Sequence, residues 1–253
     1  MTPDPLFDVS GKVALVTGAS SGLGANFARL LASRGAVVVA AARRLDRLES
    51  LVREGGAAHA VALDVTDPAS VEAAVARAAG LAGPIDILVN NAGIADTKAS
   101  IDLTEDDWRR VLDTNLDGAW RVAQAVARTM IAAGRPGSIV NIASILGLRQ
   151  ATHLLPYAAA KAALVQVTRS LALEWARHGI RVNAIAPGYV ITEMNRDFFA
   201  SEAGHAMARR VPQRRIGSPG DLEGALLLLA SGAGAYMTGS VVVVDGGHLV
   251  NSL

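Results

Sequence analysis

The run Lys12-Val-Ala-Leu-Val-Thr-Gly-Ala-Ser-Ser-Gly-Leu-Gly24 decides the fold. Its first part is a short apolar stretch that predicts a buried strand, and a helical pattern follows at about 22–34. Between them the glycines space as G-x-x-x-G-x-G: Gly18, Gly22 and Gly24. Such a turn aims backbone N–H groups and a helix N-terminus at a ligand, so it predicts a pyrophosphate site to which Ser20 and Ser21 add hydroxyl donors. For this stretch alone, a plain glycine-rich loop is the alternative.

Patterns typical of strands and helices alternate along the rest of the chain. Continuous apolar runs predict further strands at 36–42, 57–63, 85–90, 138–143, 181–186 and 240–244. Helical patterns lie at 43–54, 68–81, 104–133, 155–178 and 219–231. Because strands without polar alternation are buried on both faces, this order predicts a doubly wound Rossmann-type α/β fold, with a seven-stranded parallel sheet and helices on both faces.

Three further features concern how the chain is organised. No linker or repeat divides it, so residues 1–253 are predicted to form a single dinucleotide-binding domain. In the helix predicted at 104–133, Thr104 is the expected N-cap and Gly118 is expected to introduce a kink. Residues from 189 to about 216 show little strand pattern and are predicted to be a mobile substrate segment over a pocket.

Composition limits the possible partners. The 253 residues are 51% hydrophobic and 4% aromatic, and the formal net charge of +1 gives no reason to expect nucleic acid or an anionic membrane. The lack of Cys excludes disulfides and thiolate catalysis. No apolar run approaches the ~20 residues of a spanning helix, and no signal-peptide core is seen, so a cytoplasmic protein is expected. The five His lack metal-ligand spacing, so no metal is predicted.

The pair Tyr157-Ala-Ala-Ala-Lys161 places a phenol and an ammonium one helical turn apart on the same face. The ammonium is expected to favour phenolate and to lower the pKa of Tyr157. Ser144 follows a predicted strand and can hold a substrate oxygen while the phenol gives or takes its proton. These groups suit the interconversion of a carbonyl and an alcohol. Because they need a hydride source, a nicotinamide cofactor is predicted at the glycine turn.

The end of the second predicted strand bears on the choice of cofactor. It reads Ala40-Ala-Ala-Arg-Arg44, without the acidic residue that would bind the adenosine ribose and repel a 2′-phosphate. Arg43 can pair with a 2′-phosphate through its planar guanidinium, so NADP is predicted over NAD, which stays possible. The alternative is that Arg43 caps a solvated helix and stacks on adenine.

Taken together, these motifs resemble the short-chain dehydrogenase/reductase family of the single-domain type, over about residues 10–248. Thr17–Gly24 is similar to the family's TGxxxGxG, and Asn90-Asn-Ala-Gly93 to its NNAG. Pro187-Gly188 followed by Thr192 resembles the segment beside the nicotinamide carboxamide. In length and motif order the chain is most similar to the 3-oxoacyl-[acyl-carrier-protein] reductases.

The resemblance implies a role for each site residue. Tyr157 would be the general acid/base, Lys161 would lower its pKa and bond the nicotinamide ribose, and Ser144 would position the substrate oxygen. Asn115 would hold a water that links Lys161 to solvent. The residues implied in cofactor binding are Gly18, Ser20, Ser21, Gly22, Leu23, Gly24, Arg43, Asp64, Val65, Asn91, Ala92, Gly93, Tyr157, Lys161, Pro187, Gly188, Val190 and Thr192. Among these, Asp64 and Val65 would meet the adenine.

The sequence therefore predicts an NADP-preferring oxidoreductase that interconverts a ketone and a secondary alcohol. A 3-oxoacyl-[acyl-carrier-protein] reductase and a catalytically idle cofactor-binding regulator are alternatives. An epimerase or dehydratase is disfavoured because no second substrate domain is seen. The resemblance also implies a homotetramer, in which the helices at 104–133 and 155–178 pair between subunits.

Two features near the expected pocket have more than one interpretation. His153 lies between Ser144 and Tyr157 and fits a pocket wall or a solvated loop equally well. A basic run fits a solvated face, or a site for an acidic substrate or an acyl carrier protein: Arg196, Arg209, Arg210, Arg214 and Arg215.

Overall fold

All the strands predicted from apolar runs form, and they lie in one sheet. A computed structural model describes residues 5–193 and 195–251. The strands are β1 (Val13–Thr17), β2 (Val37–Ala42), β3 (His59–Ala62), β4 (Ile87–Asn90), β5 (Gly137–Ile142), β6 (Ile180–Pro187) and β7 (Val241–Val244). Their order is β3-β2-β1-β4-β5-β6-β7 and every pairing is parallel, which confirms the predicted doubly wound fold.

Helices connect successive strands and cover both faces of the sheet. They are α1 (Gly22–Ser33), α2 (Leu45–Arg53), α3 (Pro68–Ala82), α4 (Glu105–Leu112), α5 (Gly118–Ala132), α6 (Leu155–Trp175), α7 (Arg196–Ala200), α8 (Glu202–Arg210) and α9 (Glu223–Ala230). In the described ranges, no helix combines the length and the apolar character needed to cross a membrane.

The central strand β1 shows why the strands are continuous apolar runs. Successive side chains of a strand point to opposite faces of the sheet. Ala14 and Val16 pack in one core with α1, α2 and α9, whereas Val13 and Leu15 pack in a second core with α3, α5 and α6. All of β1 is buried, so its side chains from Val13 to Val16 are apolar on both faces.

The helix predicted at 104–133 is interrupted in the structure. Thr104 does cap α4: its hydroxyl accepts the N–H of Asp107 at 3.2 Å, and the Asp107 carboxylate accepts the N–H of Thr104 at 3.0 Å. After α4 the chain forms a π-helical turn at Asp113–Asp117, and only then continues as α5. The kink was predicted at Gly118, and the irregularity in the structure is this π-helical turn just before that residue; helical periodicity does not register a single wider turn.

Gly118 begins α5 directly after this turn. A Cβ atom at Gly118 would lie 2.7 Å from Cγ2 of Val65, which is closer than packed atoms approach. The glycine therefore allows α5 to pack closely against the residue that follows β3. The irregular turn lies just before Gly118.

The segment at 189–216, predicted to be mobile, contains two short helices, α7 and α8. Phe199 of α7 is 8% exposed, and the Ser201 hydroxyl accepts the N–H of Gly204 at the start of α8. The mobility of this segment stays a prediction, and residue 194 within it lies outside the described residues. The single-domain assignment of 1–253 also stays a prediction.

Candidate active site

A cavity of about 710 Å³ lies at the carboxyl ends of the strands. Most of its wall residues lie at or just after the ends of β1 to β6, around the point where the strand order reverses between β1 and β4. The others lie on the π-helical turn and on or just before α6. In doubly wound sheets, ligands bind at this switch point. Every residue predicted for the site lines the cavity except Gly24 and Asn115, so the fold brings the scattered motifs together.

The glycine turn after β1 is shaped by close backbone contacts. Gly18 has φ +66°, and a Cβ there would lie 2.8 Å from Cα of Ala92. A Cβ at Gly24 would lie 2.4 Å from the Gly18 carbonyl oxygen. Gly24 therefore supports the turn from beneath and does not face the cavity, while the N-terminus of α1 is left open toward it.

Thr17 joins the glycine turn to the Asn-Asn-Ala-Gly motif. Its buried hydroxyl accepts the N–H groups of Asn91 and Ala92, both at 3.0 Å. In return, Nδ2 of Asn91 donates to the Thr17 carbonyl at 3.0 Å. The ends of β1 and β4 are thereby held in a fixed relation. Thr17 opens the TGxxxGxG motif, but its contact with the Asn-Asn-Ala-Gly motif was not predicted.

Two arginines line the part of the cavity next to the glycine turn. Arg43 was predicted there, but Arg44 was missed. Nη2 of Arg44 donates to the hydroxyls of Ser20 and Ser21 at 2.9 and 2.8 Å. Arg44 stands beside Arg43 in the sequence, just after β2. Its contact with Ser20 and Ser21 could not be predicted, because the direction of its side chain depends on where the fold places the glycine turn.

Asp64 and Val65 form the neighbouring wall after β3. The Asp64 carboxylate accepts the N–H and the hydroxyl of Thr66, at 3.0 and 2.7 Å. These hydrogen bonds, with the charge of Arg43, hold the pKa of Asp64 below its ordinary value, against the opposing effect of burial. Asp64 is therefore a fixed acceptor close to Arg43.

Ser144 and Tyr157 meet on the opposite side of the cavity. Burial raises the pKa of the Tyr157 phenol above its ordinary value, and a hydrogen bond with Ser144 opposes this shift. The Ser144 hydroxyl also accepts the N–H of Leu146 at 3.1 Å, which fixes its position at the end of β5. The predicted lowering of the Tyr157 pKa is therefore wrong for this structure, because desolvation outweighs the favourable contact. The phenol is held protonated, as a proton donor requires.

Lys161 lies one turn further along α6. Its Nζ is 5.7 Å from the centroid of the Tyr157 ring and donates to the Ile142 carbonyl at 2.7 Å. Burial lowers the pKa of Lys161 to about 8. Tyr157 and Lys161 thus lie one helical turn apart, as predicted. The amine of Lys161 lies near the phenol ring, but its hydrogen bond goes to a backbone carbonyl.

Asn115 projects from the π-helical turn into the base of the site. Its Oδ1 accepts the N–H of Ile94 at 2.8 Å, and its Nδ2 donates to the Ile94 carbonyl at 2.7 Å. A Cβ at Gly93 would lie 3.2 Å from this Oδ1 and 3.7 Å from Nζ of Lys161. Asn115 therefore lies behind the cavity wall, near Lys161, and its role with a bound water stays a prediction.

The chain after β6 crosses the cavity. A Cβ at Gly188 would lie 2.8 Å from Cα of Asp245, so only glycine fits there. Further on, Cγ2 of Thr192 comes within 3.7 Å of the position that a Cβ would take at Gly22. Thr192 therefore lies close to the glycine turn, and all four predicted residues of this segment line the cavity: Pro187, Gly188, Val190 and Thr192. Their position beside a nicotinamide carboxamide stays a prediction.

His153 and the basic run, which had two interpretations each, lie outside the cavity wall. His153 is exposed and is not part of the cavity wall, which favours the solvated loop. None of the five arginines of the basic run lines the cavity. Arg215 is held by Asp221 in a two-pronged ion pair, with both distances 2.7 Å. Among the described residues, no cluster of three or more His, Asp or Glu could hold a metal ion.

Comparisons with known proteins agree with this geometry. A family profile described as "Enoyl-(Acyl carrier protein) reductase" matches residues 18–248. A gluconate 5-dehydrogenase of Gluconobacter oxydans is 40% identical, over 99% of this chain and 100% of its own. A cis-4-hydroxycyclohexanecarboxylate dehydrogenase of Sinomonas cyclohexanicum is 44% identical, over 94% and 96%. The crystal structure of a gluconate 5-dehydrogenase from Burkholderia cenocepacia, in complex with NADP and tartrate, has a TM-score of 0.92 and 39% identity, and covers 98% of this chain and 99% of its own.

Proposed function

This chain belongs to the short-chain dehydrogenase/reductase family, and on that premise we propose that it transfers a hydride between NADP(H) and a ketone or secondary alcohol. The observation that carries the proposal is the meeting of Ser144 and Tyr157 in one cavity with the glycine turn. Relatives with different substrates share this family. The motifs therefore support the type of reaction, whereas the side chains of the pocket walls decide which substrate binds.

The protein groups supply the proton chemistry. In reduction, the phenol of Tyr157 donates its proton to the carbonyl oxygen, while the Ser144 hydroxyl donates a hydrogen bond to the same atom. In oxidation, the phenolate accepts the proton of the alcohol. The ammonium of Lys161 stabilises that phenolate. NADP(H), when bound, accepts or supplies the hydride.

The residues next to the glycine turn fit NADP. Arg43 and Arg44 bring two guanidinium groups to the wall where a 2′-phosphate would lie, and Ser20 adds a hydroxyl. The open N-terminus of α1 suits the pyrophosphate. The NADP in the Burkholderia cenocepacia relative supports the same choice. Apart from Asp64, no carboxylate among the described residues lines this wall to repel a 2′-phosphate, which also favours NADP, with NAD as the second cofactor to test.

Replacement of the phenol tests the proposal. Tyr157→Phe should lower kcat for ketone reduction by about 10²–10⁴, the usual contribution of a general acid, and leave the Kd for NADPH unchanged. Tyr236→Phe is the matched control, because Tyr236 is fully exposed and is not part of the cavity wall. Near-normal turnover by Tyr157→Phe would contradict the proposal. If the wild-type protein binds NADPH but turns over no ketone, it is the idle cofactor-binding regulator.

A 3-oxoacyl-[acyl-carrier-protein] reductase is the narrower alternative. The supporting observation is the basic run on α7 and α8, where Arg196, Arg209 and Arg210 have no ion pair with a described carboxylate. An acidic carrier protein would bind such a surface. A substantial loss of activity when a carrier-bound 3-oxoacyl substrate is replaced by its short thioester analogue would support it.

We also propose that the chain acts as a cytoplasmic homotetramer of single-domain subunits. The support is a set of large apolar side chains exposed on the helices that were predicted to pair: Trp120, Ile131, Leu155 and Leu173. Burial of such residues against a second copy would remove apolar surface from water.

A further inference from the structure

We infer that the substrate end of the cavity selects a compact apolar alcohol or ketone and rejects polyols and sugar acids. This inference rests on the proposed function, since it names the substrate class of the same site. It follows from the side chains around Ser144 and Tyr157, and from how few of the polar groups there are free.

The walls beside the catalytic pair are apolar. Leu146 follows Ser144 by two residues, Leu154 precedes Tyr157 by three, and both line the cavity. Ile94 lies beyond Gly93 on the side of Lys161, and Tyr189 follows Gly188. The ring of Tyr189 is fixed in place by Phe199 and His248, whose centroids lie 6.1 and 5.4 Å away.

The polar groups at this end are mostly bound to other protein atoms. Oδ1 of Asn195 accepts the N–H of Thr192 at 2.7 Å, and its Nδ2 donates to the Val190 carbonyl at 2.9 Å. The Thr114 hydroxyl donates to the Arg110 carbonyl at 2.9 Å. The N–H and carbonyl of Ile94 are both held by the side chain of Asn115, as described above.

Two hydroxyls remain available besides those of the catalytic pair. Among the described residues that line the cavity away from the two arginines, Tyr189 and Thr192 carry side-chain hydroxyls without a hydrogen bond to another protein group. The cations of the cavity wall are Arg43, Arg44 and Lys161, and the first two lie at the cofactor end. Arg149, whose charge acts on the Tyr189 phenol, is not part of the wall and donates to the His248 carbonyl.

The apolar walls and the few available polar groups favour an apolar substrate. A polyol brings several hydroxyls, and each one that is buried without a partner lowers kcat/KM about tenfold. A sugar acid also brings a carboxylate, for which this wall offers no free cation among the described residues. An aliphatic or alicyclic ring, by contrast, gains from contact with Leu146, Leu154 and Ile94.

The test is a substrate panel with the wild-type protein and NADP. We expect at least one of cyclohexanol, 2-heptanol and 1-phenylethanol to exceed gluconate, galactitol and glycerol in kcat/KM by about 100-fold. A polyol or gluconate as the best substrate would overturn the inference and leave the proposed function intact. Turnover of none of the alcohols, or of the matching ketones with NADPH, would overturn both.

Two leucines give a matched pair of variants. Leu154 lines the cavity, whereas Leu81 is 42% exposed on α3 and lies outside both the cavity wall and the proposed interface. Leu154→Asn should lower kcat/KM for the best apolar alcohol about tenfold and reduce its advantage over polyols, with NADPH binding retained as evidence of folding. Leu81→Asn should leave both values unchanged. Equal effects of the two substitutions would overturn the inference, and the wild-type panel decides it if Leu154→Asn does not fold.

Discussion

Lys161 carries an amine into a part of the cavity wall that water hardly reaches. It is 4% exposed, and its Nζ donates to the Ile142 carbonyl. A lone buried ammonium is unfavourable, and this is why burial lowers its pKa to about 8. The fold tolerates this unfavourable group because the proposed reaction needs a cation beside Tyr157.

The lowered pKa predicts how stability depends on pH. Below pH 8 the folded and unfolded chains both hold the proton, and the folded state bears the full desolvation penalty. Between about 8 and about 10.5 the unfolded chain binds more protons, so a rise in pH favours folding. Lys161→Met should therefore be more stable than wild type near neutral pH, and its advantage should shrink by about 2–3 kcal/mol toward pH ~10. Urea unfolding of both proteins at the two pH values measures this, and a constant difference would contradict it.

Cofactor choice is a second question at the scale of single residues. Arg43→Ala should weaken NADPH binding about 10–100-fold and change NADH binding little, because the 2′-phosphate loses a charge-assisted hydrogen bond. Fluorescence titration of both cofactors gives the Kd values. Arg47→Ala is the control, since Arg47 is exposed on α2 and outside the cavity wall. An equal loss for NADH and NADPH would assign Arg43 to adenine instead.

At the scale of elements, the junction between α4 and α5 packs directly against two residues of the cavity wall, Ile94 and Val65. The π-helical turn places Asn115 against Ile94, and Gly118 lets α5 approach Val65. Irregular turns of this kind within helices are frequent at functional sites. The helical pattern at 104–133 is therefore interrupted at the point where it packs against the cavity wall.

Two helical glycines allow a matched test of this packing. Gly118→Ala should lower the free energy of unfolding and weaken NADPH binding, because the new methyl group displaces Val65 from the cavity wall. Gly80→Ala in α3 has open space around the new methyl and should stabilise the protein by about 0.5–1 kcal/mol. Chemical denaturation with and without NADPH measures both effects. Equal stabilisation of the two variants would contradict this, since it would mean that Val65 moves aside without a cost in free energy of unfolding.

At the scale of the whole molecule, both faces of the sheet are covered by helices, and α5 and α6 still expose large apolar side chains. Leu173 is 84% exposed in the single chain. An exposed leucine alone needs no explanation, but four large apolar residues on the helices proposed to pair agree with a subunit contact.

The proposed assembly can be tested by mass in solution. Sedimentation equilibrium should give four times the subunit mass for the wild type, and Leu173→Glu should shift it toward smaller species, because a buried unpaired carboxylate disfavours the contact. Leu81→Glu on α3, outside the proposed interface, should leave the mass unchanged. A wild-type monomer would count against the tetramer.

The sequence alone determined the alternation of strands and helices, the glycine turn and the place of Tyr157 and Lys161 on one face of a helix. These depend on local rules: apolar periodicity, the backbone freedom of glycine and the spacing of side chains on a helix. Tertiary structure decided the direction of the Tyr157 pKa shift, the contact of Arg44 with the glycine turn, the π-helical turn at Asn115 and the apolar wall around the catalytic pair. Each of these depends on distances and burial among residues far apart in the chain, which only the packed fold sets.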